Sequence, residues 1–322
     1  MGLLVDGTWH ENDPPPSSDG RFRRAQSSLR HWITADGAPG PSGRGGFSAS
    51  SGRYHLYVAM TCPWAHRTAI FRKLKHLETH LGISYVAPRR TAEGWVFEHE
   101  GAHADPLLGC DALHEIYTRS EPTFSGRVTV PVLWDRERGC IVSNESSDIL
   151  RMLNAAFADV AEPSPDFFPA ALREKIEEWN VDVYQNINNG VYRAGFAASQ
   201  AAYDEAVQAV FETLDRLDRH LAASRYLAGE TLTEADWRLF PTLARFDVAY
   251  FGAFRCNVRR LMDYEHLWPY TRELYQHPGI ADTIDFDTFK RGYYSPSKER
   301  NPHGIVPAGP EIDFNEPHGR GD

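Results

Sequence analysis

Residues 54–66 read YHLYVAMTCPWAH, and they contain the change from strand to helix on which the fold depends. The first half alternates and is rich in aromatic and β-branched side chains, which is typical of a strand. Pro63 suits the first turn of a helix, because its fixed φ is already helical and its missing N–H is not needed there. We therefore expect Cys62 at a helix N-terminus, where free backbone N–H groups and the helix dipole stabilise a thiolate.

The thiol of Cys62 has no resolving partner in this motif, because position 65 is Ala65 and no CxxC pair is formed. A single thiolate can attack a disulfide or thioether sulfur, but the resulting mixed disulfide must then be resolved by an external thiol. The other cysteines, Cys110, Cys140 and Cys256, have the spacing of neither a disulfide framework nor a zinc site. We therefore expect a cytoplasmic protein that holds no metal.

The composition argues against several classes of function. The chain has 322 residues, of which 42% are hydrophobic, and this is enough for two domains with separate cores. Its 44 acidic and 34 basic side chains give a net charge of −10, so we expect no nucleic-acid partner. The N-terminal apolar stretch is too short for a signal peptide and no run has the length to span a bilayer, so we expect no membrane association.

An α/β unit with a mixed sheet is predicted over residues 54–160, in the order β-α-β-α-β-β-α. The predicted elements are strands at 54–59, 83–86, 127–135 and 140–142 and helices at 64–77, 113–119 and 149–157. Pro131 is poorly suited to a central strand, so it requires an edge strand, a bend or a cis peptide after Val130. Ser143 or Asn144 is expected to cap the last helix.

The segment 168–285, which follows the proline-rich residues 162–165, is predicted to be all-helical. Its predicted helices are 170–188, 201–222, 233–251 and 269–277. Thr233 and Asp236 have the spacing of a capping box. Two segments flank these domains: residues 1–53, rich in Pro, Ser and Gly, are expected to form an extended surface arm, and residues 286–322 to form a tail that docks on the body.

Five motifs follow one another along this chain. They are Cys-Pro-Trp-Ala-His-Arg at 62–67, Val-Pro-Val-Leu-Trp-Asp at 130–135, Ser-Asn-Glu-Ser at 143–146, Gly-Val-Tyr-Arg-Ala-Gly-Phe-Ala at 190–197 and Tyr-Tyr at 293–294. In this order they resemble the glutathionyl-hydroquinone reductases, the xi class of glutathione transferases. The resemblance implies a thioredoxin-like N-terminal domain, an all-helical C-terminal domain and a homodimer.

The resemblance also implies a reaction, with glutathione as co-substrate. Cys62 would attack the sulfur of an S-glutathionyl hydroquinone, and a second glutathione would resolve the mixed disulfide to give GSSG and hydroquinone. Glu145 would accept from the γ-glutamyl amine and Ser146 would hold its carboxylate, at a helix N-terminus that favours anions. The backbone of Val130 would pair with the cysteinyl part of glutathione.

Four further residues match functional positions of the family. Trp95 and Arg127 match the residues that cover glutathione and bind its glycyl end. Tyr192 and Tyr293 match the tyrosines that stack on the hydroquinone and donate a proton to it. Because Tyr294 is adjacent to Tyr293, the sequence leaves open which of the two faces the site.

His66 and Arg67 complete the first motif but receive no catalytic role, and His66 is expected to be a partly exposed structural histidine. Two alternatives to the reductase are a transferase of conjugating or omega-like thiol-transferase type and a non-catalytic relative. The cysteine at position 62 favours disulfide chemistry over conjugation, for which related enzymes usually use Ser or Tyr. The insertion at 88–112 has no assigned role.

Overall fold

The computed structural model describes residues 2–11, 17–297 and 300–321. The chain divides into two compact units. The first comprises Met1–Pro14 and Ala25–Asp166, and the second comprises Pro15–Arg24 and Phe167–Asp322. The segment predicted as one arm over residues 1–53 is therefore shared between the units. Within the described ranges, no helix is long and apolar enough to cross a membrane.

The first unit contains the predicted α/β fold. Its elements are β1 (Leu3–Val5), β2 (Thr8–His10), β3 (Tyr54–Val58), α1 (Pro63–Leu74), β4 (Gly82–Tyr85), α2 (Leu113–Ser120), β5 (Val132–Asp135), β6 (Cys140–Ser143) and α3 (Ser146–Ala155). β1 and β2 form a separate antiparallel hairpin, in place of an extended chain. The other strands form a mixed sheet in the order β4-β3-β5-β6, with β3 parallel to β4 and antiparallel to β5. All of β3 is buried, as expected for a sheet covered on both faces.

A cis peptide at Val130–Pro131 accommodates the proline of the third predicted strand. β5 begins only at Val132, so Pro131 does not interrupt its ladder of backbone hydrogen bonds. Because β5 lies between β3 and β6, the edge-strand alternative for this segment is wrong.

The start of α3 differs from the prediction. The N-cap is Glu145, whose side chain accepts from the Ser147 N–H, so neither Ser143 nor Asn144 caps this helix. Ser143 is the last residue of β6, and the Asn144 N–H donates to the Leu29 carbonyl at 2.9 Å. Both residues thus pair with neighbouring chain segments, and the N-cap is the next residue along the chain, Glu145.

The described part of the second unit is helical, as predicted. Its α-helices are α4 (Arg173–Asp182), α5 (Gly190–Gly195), α6 (Gln200–Leu221), α7 (Glu234–Leu243), α8 (Phe251–Ala253), α9 (Leu267–Gln276) and α10 (Phe286–Tyr293). Two π-helical segments, Val183–Asn188 and Phe246–Tyr250, replace the ends of what the sequence predicts as single long helices. The predicted tail begins with α10, so regular structure continues beyond residue 285.

Two buried carboxylates hold this unit together. Asp236 completes the predicted capping box by accepting from the Thr233 N–H at 2.9 Å, and it also accepts from the Tyr270 hydroxyl at 2.8 Å. Glu273 accepts from Nε of Arg320 at 2.7 Å. The second contact joins the C-terminal segment to α9.

Candidate active site

Cys62 lies at the N-cap of α1, where the sequence places it. The side chain is partly exposed and makes no hydrogen bond that caps the helix. Its Sγ lies 3.7 Å from the carbonyl oxygen of Val130, to which the thiol can donate. A partly exposed sulfur at a helix N-terminus is in the environment that nucleophilic cysteines require.

The remaining cysteines are poor nucleophiles. Burial raises the pKa of Cys110 and of Cys256 to about 12. Burial also raises the pKa of Cys140, which is only partly exposed. These side chains therefore remain thiols at neutral pH, and Cys62 is the candidate for thiolate chemistry.

The carboxylate of Glu145 is held by donors on both oxygens. Oε1 accepts from the N–H and the hydroxyl of Ser147 at 3.0 and 2.9 Å, and Oε2 accepts from the Ser27 hydroxyl at 3.0 Å. Burial opposes ionisation, but these bonds and the charge of Arg67 outweigh it and lower the pKa of Glu145 below its usual value. A carboxylate offers about four acceptor positions. The charged Glu145 therefore retains room on Oε2 for one ligand donor.

Ser146 is the first residue of α3 and is buried at its N-terminus, a position that suits a ligand carboxylate. Arg67, for which the sequence predicts no role, is only 2% exposed, and its guanidinium lies 4.7 Å from the centroid of the Trp64 ring. Its charge acts on Glu145, so it belongs to the electrostatics of this site. The only sequence signal for Arg67 was its place in the cysteine motif. His66, in the same motif, is 3% exposed, so the expectation that its side chain is partly exposed is wrong.

Trp95 lies in the insertion 88–112, which is joined to the body of the first unit by backbone bonds. The Trp95 carbonyl accepts from the Leu113 N–H at 2.8 Å, and the Ala87 N–H donates to Val96 at 2.8 Å. The indole is 7% exposed, and the guanidinium of Arg90 lies 4.2 Å from its ring centroid. The structure therefore shows Trp95 as a core residue with a cation on one face.

Asp105 orders the rest of this insertion. Its Oδ1 accepts from the Tyr57 hydroxyl at 3.0 Å and from the Leu107 and Leu108 N–H groups, while Oδ2 accepts from the Cys110 N–H at 3.1 Å. One buried carboxylate thus ties the loop to β3, which gives the insertion a structural role that the sequence did not reveal.

Arg127 and Val130 lie on the segment that leads into β5. Gly126 exchanges backbone hydrogen bonds with Leu4 at 2.9 Å in both directions, and Arg127 follows it, partly buried. The N–H of Val130 has no hydrogen-bond partner in the described part of the chain. Buried backbone donors are nearly always satisfied, so this group is suited to a ligand carbonyl beside the thiol.

A cluster of tyrosine hydroxyls lies in the second unit. The hydroxyl oxygens of Tyr192 and Tyr293 are 2.9 Å apart, and that of Tyr250 lies 3.0 Å from that of Tyr293. Tyr294 packs instead with its hydroxyl against Gly252. Tyr293 rather than Tyr294 therefore belongs with Tyr192, and Tyr250 is a member that sequence reasoning missed.

The phenols of Tyr250 and Tyr293 are neutral at physiological pH. Burial raises the pKa of Tyr250 and of Tyr293 well above the usual value, and Tyr192 adds to this effect while Arg245 partly offsets it. On the ring of Tyr192, Phe254 packs edge-on with a centroid distance of 5.2 Å and the guanidinium of Arg24 lies 4.7 Å from the centroid. The cluster thus provides an aromatic surface with O–H donors.

The candidate residues are divided between the two units. Cys62, Trp95, Arg127, Val130, Glu145 and Ser146 belong to the first unit, and Tyr192 and Tyr293 belong to the second. Across residues 2–11, 17–297 and 300–321, no three His, Cys, Asp or Glu side chains are grouped as a metal site would require.

Comparison with known proteins places this arrangement in a family. Residues 61–156 match the glutathione S-transferase N-terminal domain, and residues 200–273 match the C-terminal domain. The Xi Class GST from Natrialba magadii has a TM-score of 0.91 at 44% identity, covering 99% of this chain and 96% of that one. The chain belongs to the xi class of glutathione transferases.

Two further relatives of this xi-class transferase are close along their whole length. It is 50% identical to the glutathionyl-hydroquinone reductase YqjG of Escherichia coli, over 99% of this chain and 98% of that protein. The glutathione-bound structure of YqjG has a TM-score of 0.91 and covers 99% of both chains. Identity to the glutathionyl-hydroquinone reductase PcpF of Sphingobium chlorophenolicum is 45%, over 96% of each. The predicted fold, a thioredoxin-like domain followed by a helical transferase domain, is confirmed.

Proposed function

We propose that this xi-class transferase is a glutathionyl-hydroquinone reductase, which removes glutathione from S-glutathionyl hydroquinones. The observation that carries the proposal is the partly exposed Cys62 at the N-terminus of α1, with Ala65 where a resolving cysteine would stand. Two similar proteins, YqjG and PcpF, bear this name, and YqjG has been seen with glutathione bound.

The first step forms a mixed disulfide. The Cys62 thiolate attacks the glutathionyl sulfur, the carbon–sulfur bond breaks, and its electron pair passes to the hydroquinone carbon, which takes up a proton. In the second step a glutathione thiolate attacks the glutathione sulfur of the mixed disulfide, which releases GSSG and regenerates the Cys62 thiolate. The aryl carbon gains two electrons, and two glutathione sulfurs, the thioether sulfur of the conjugate and the thiol sulfur of the second glutathione, lose them in forming one disulfide.

Glutathione binding is assigned to the first unit. The charged Glu145, with one acceptor position left on Oε2, supports a contact with the γ-glutamyl ammonium, and Ser146 at the start of α3 suits the neighbouring carboxylate. The Val130 N–H suits the cysteinyl carbonyl. For Trp95 and Arg127 the support is the match of their positions to the family, and we assign them to the glycyl end.

The hydroquinone is assigned to the tyrosine cluster. A phenol hydroxyl is a hydrogen-bond donor, so Tyr192 or Tyr293 can protonate the carbon that leaves with the electron pair. The Tyr250 hydroxyl is hydrogen-bonded to that of Tyr293 and can replace the proton that Tyr293 gives up. The aromatic rings around Tyr192 offer a stacking surface for the hydroquinone ring.

The assembly and location are further parts of the proposal. The support for a homodimer formed through the helical units is the resemblance to the xi class. All four cysteines are free, which supports a reducing, cytoplasmic location. The glutathione-bound structure of YqjG supports glutathione, rather than another low-molecular-weight thiol, as the co-substrate.

Intact mass spectrometry after incubation with GSSG tests the chemistry. We expect a glutathione-sized adduct on the wild type, no adduct on Cys62→Ser, and an unchanged adduct on the matched control Cys140→Ser. Turnover of a glutathionyl hydroquinone should exceed conjugation of a standard electrophile. An adduct that persists in Cys62→Ser, or conjugation as the faster activity, would contradict the proposal.

A further inference from the structure

The N-terminal arm runs beside the segment that carries Glu145. The His31 N–H donates to the Val142 carbonyl at 2.8 Å, and the Asn144 N–H donates to the Leu29 carbonyl at 2.9 Å. These bonds align the arm with the end of β6 in the first unit. The residues of the arm that precede Leu29 are thereby brought alongside the start of α3.

Arg30 fixes the arm to the first turn of α3. Its Nε and one terminal nitrogen donate to the two carboxylate oxygens of Asp148 at 2.7 and 2.8 Å. A bidentate pair of this kind fixes orientation as well as distance. The position of the arm relative to the N-terminus of α3 is therefore fixed by the consecutive residues 29–31.

Ser27 is the arm residue that reaches the candidate ligand-binding carboxylate. Its Oγ lies 3.0 Å from Oε2 of Glu145 and 3.3 Å from the carbonyl oxygen of Asn144. A hydroxyl has one hydrogen, and the shorter bond to a charged acceptor is the stronger one. Ser27 therefore donates to Glu145.

This donor differs from the other two that hold the carboxylate. Both bonds from Ser147 go to Oε1 and come from the first turn of the same helix, whereas the bond from Ser27 goes to Oε2, the oxygen with room for a ligand. The Ser27 bond thus determines which lone pair of Oε2 remains available and stabilises the charged form.

We propose that Ser27 is a positioning residue for glutathione, which orients the charged Glu145 carboxylate toward the γ-glutamyl ammonium group. The inference rests on the proposed binding of glutathione by Glu145 and assigns a function to the arm. Ser27 touches no reacting atom, so its effect is on capture of the glutathionyl moiety and not on the chemical step.

Calorimetric titration of glutathione tests this role, in a Cys62→Ser background where no covalent adduct forms. We expect S27A to weaken binding about tenfold, because Oε2 of Glu145 is then no longer held in the orientation that faces the ammonium group; a tenfold loss corresponds to ~1.4 kcal/mol. S27T, which keeps the hydroxyl, should restore most of the affinity. The neighbouring Ser28 is exposed, so S28A is the matched control and should bind like the parent.

The pH profile separates positioning from a general structural effect. Glutathione affinity should fall on acidification as Glu145 is protonated, and this fall should begin at a higher pH in S27A, which lacks one donor to the carboxylate. With Cys62 intact, S27A should raise KM for a glutathionyl hydroquinone and leave kcat within about twofold.

Two results would overturn the inference: S27A binding glutathione as tightly as S28A does, or S27T failing to restore the affinity. Circular dichroism checks that each variant is folded, and S27G replaces S27A if the alanine variant does not fold. Absence of glutathione binding in the parent protein would refute the proposed function together with this inference, whereas normal binding in S27A refutes the inference alone.

Discussion

Replacing Glu145 by Gln keeps the size of the side chain and removes its charge. In the proposed site, Glu145 bonds the glutathione ammonium; loss of such a charged hydrogen bond corresponds to ~1.5–3 kcal/mol, so glutathione binding should weaken by roughly 10-fold to 150-fold. The substitution also removes an acid from the N-cap of α3, where the helix dipole favours it, at a cost of about 0.5–1 kcal/mol in stability. Binding is therefore expected to suffer more than folding.

The same substitution predicts a pH dependence of stability. Burial opposes ionisation of Glu145, but the bonds from Ser147 and Ser27 and the charge of Arg67 lower its pKa in the folded protein. An acid with a lowered folded pKa stabilises the protein above its unfolded value of about 4.3, and this contribution is lost as the pH falls through the folded value. The difference in unfolding free energy between wild type and E145Q should therefore be constant near neutral pH and shrink below about pH 4.

Urea unfolding between pH 7 and pH 3 measures this difference, and calorimetric titration in the Cys62→Ser background measures glutathione binding. Glu178 is exposed on α4, so E178Q is the matched control and should change neither quantity. The reasoning fails if E145Q binds glutathione within about twofold of the parent. It also fails if the stability difference between wild type and E145Q does not change down to pH 3.

Two further substitutions test a buried ion pair in the first unit and the tyrosine cluster in the second. Arg53→Met leaves the buried Asp135 carboxylate without the guanidinium that now donates to it at 3.0 Å, so the free energy of unfolding in urea should fall by ~3–5 kcal/mol. Arg136 is exposed, so Arg136→Met is the control and should change this free energy little. Equal losses in the two variants would contradict the ion-pair account. Tyr250→Phe removes a hydroxyl 3.0 Å from that of Tyr293. Single-turnover release of hydroquinone should slow about tenfold, and the steady-state KM should change little. An unchanged single-turnover rate would show that the Tyr250 hydroxyl plays no part in proton transfer.

The features that could be predicted from the sequence are local. Pro63 after Cys62 identifies the start of α1 because the preference of proline for the first turn is a property of one residue. The two π-helical segments were not predicted, because one extra residue within a long apolar pattern hardly alters its period. One of these π-helical segments ends at Tyr250, the member of the tyrosine cluster that was not predicted.

The missed parts of the site are contacts between distant residues. Ser27 and Glu145 are 118 positions apart, and Tyr250 and Tyr293 are 43 apart. The cap of α3 illustrates the same point, because Asn144 is a better N-cap by preference than Glu145. Because Asn144 is hydrogen-bonded to Leu29 of the arm, it does not cap α3, and this tertiary contact overrides the local capping preference.

The two steps of the proposed reaction depend differently on Glu145. In the first step the glutathionyl moiety must be captured from solution, so each contact to it contributes directly to KM for the conjugate. In the second step glutathione is already tethered to Cys62, and the tether supplies a high effective concentration at the same site. Loss of the Glu145 charge should therefore raise KM for the glutathionyl hydroquinone more than it slows resolution of the mixed disulfide. Because Ala65 leaves resolution to an external thiol, these two effects can be measured separately on one protein.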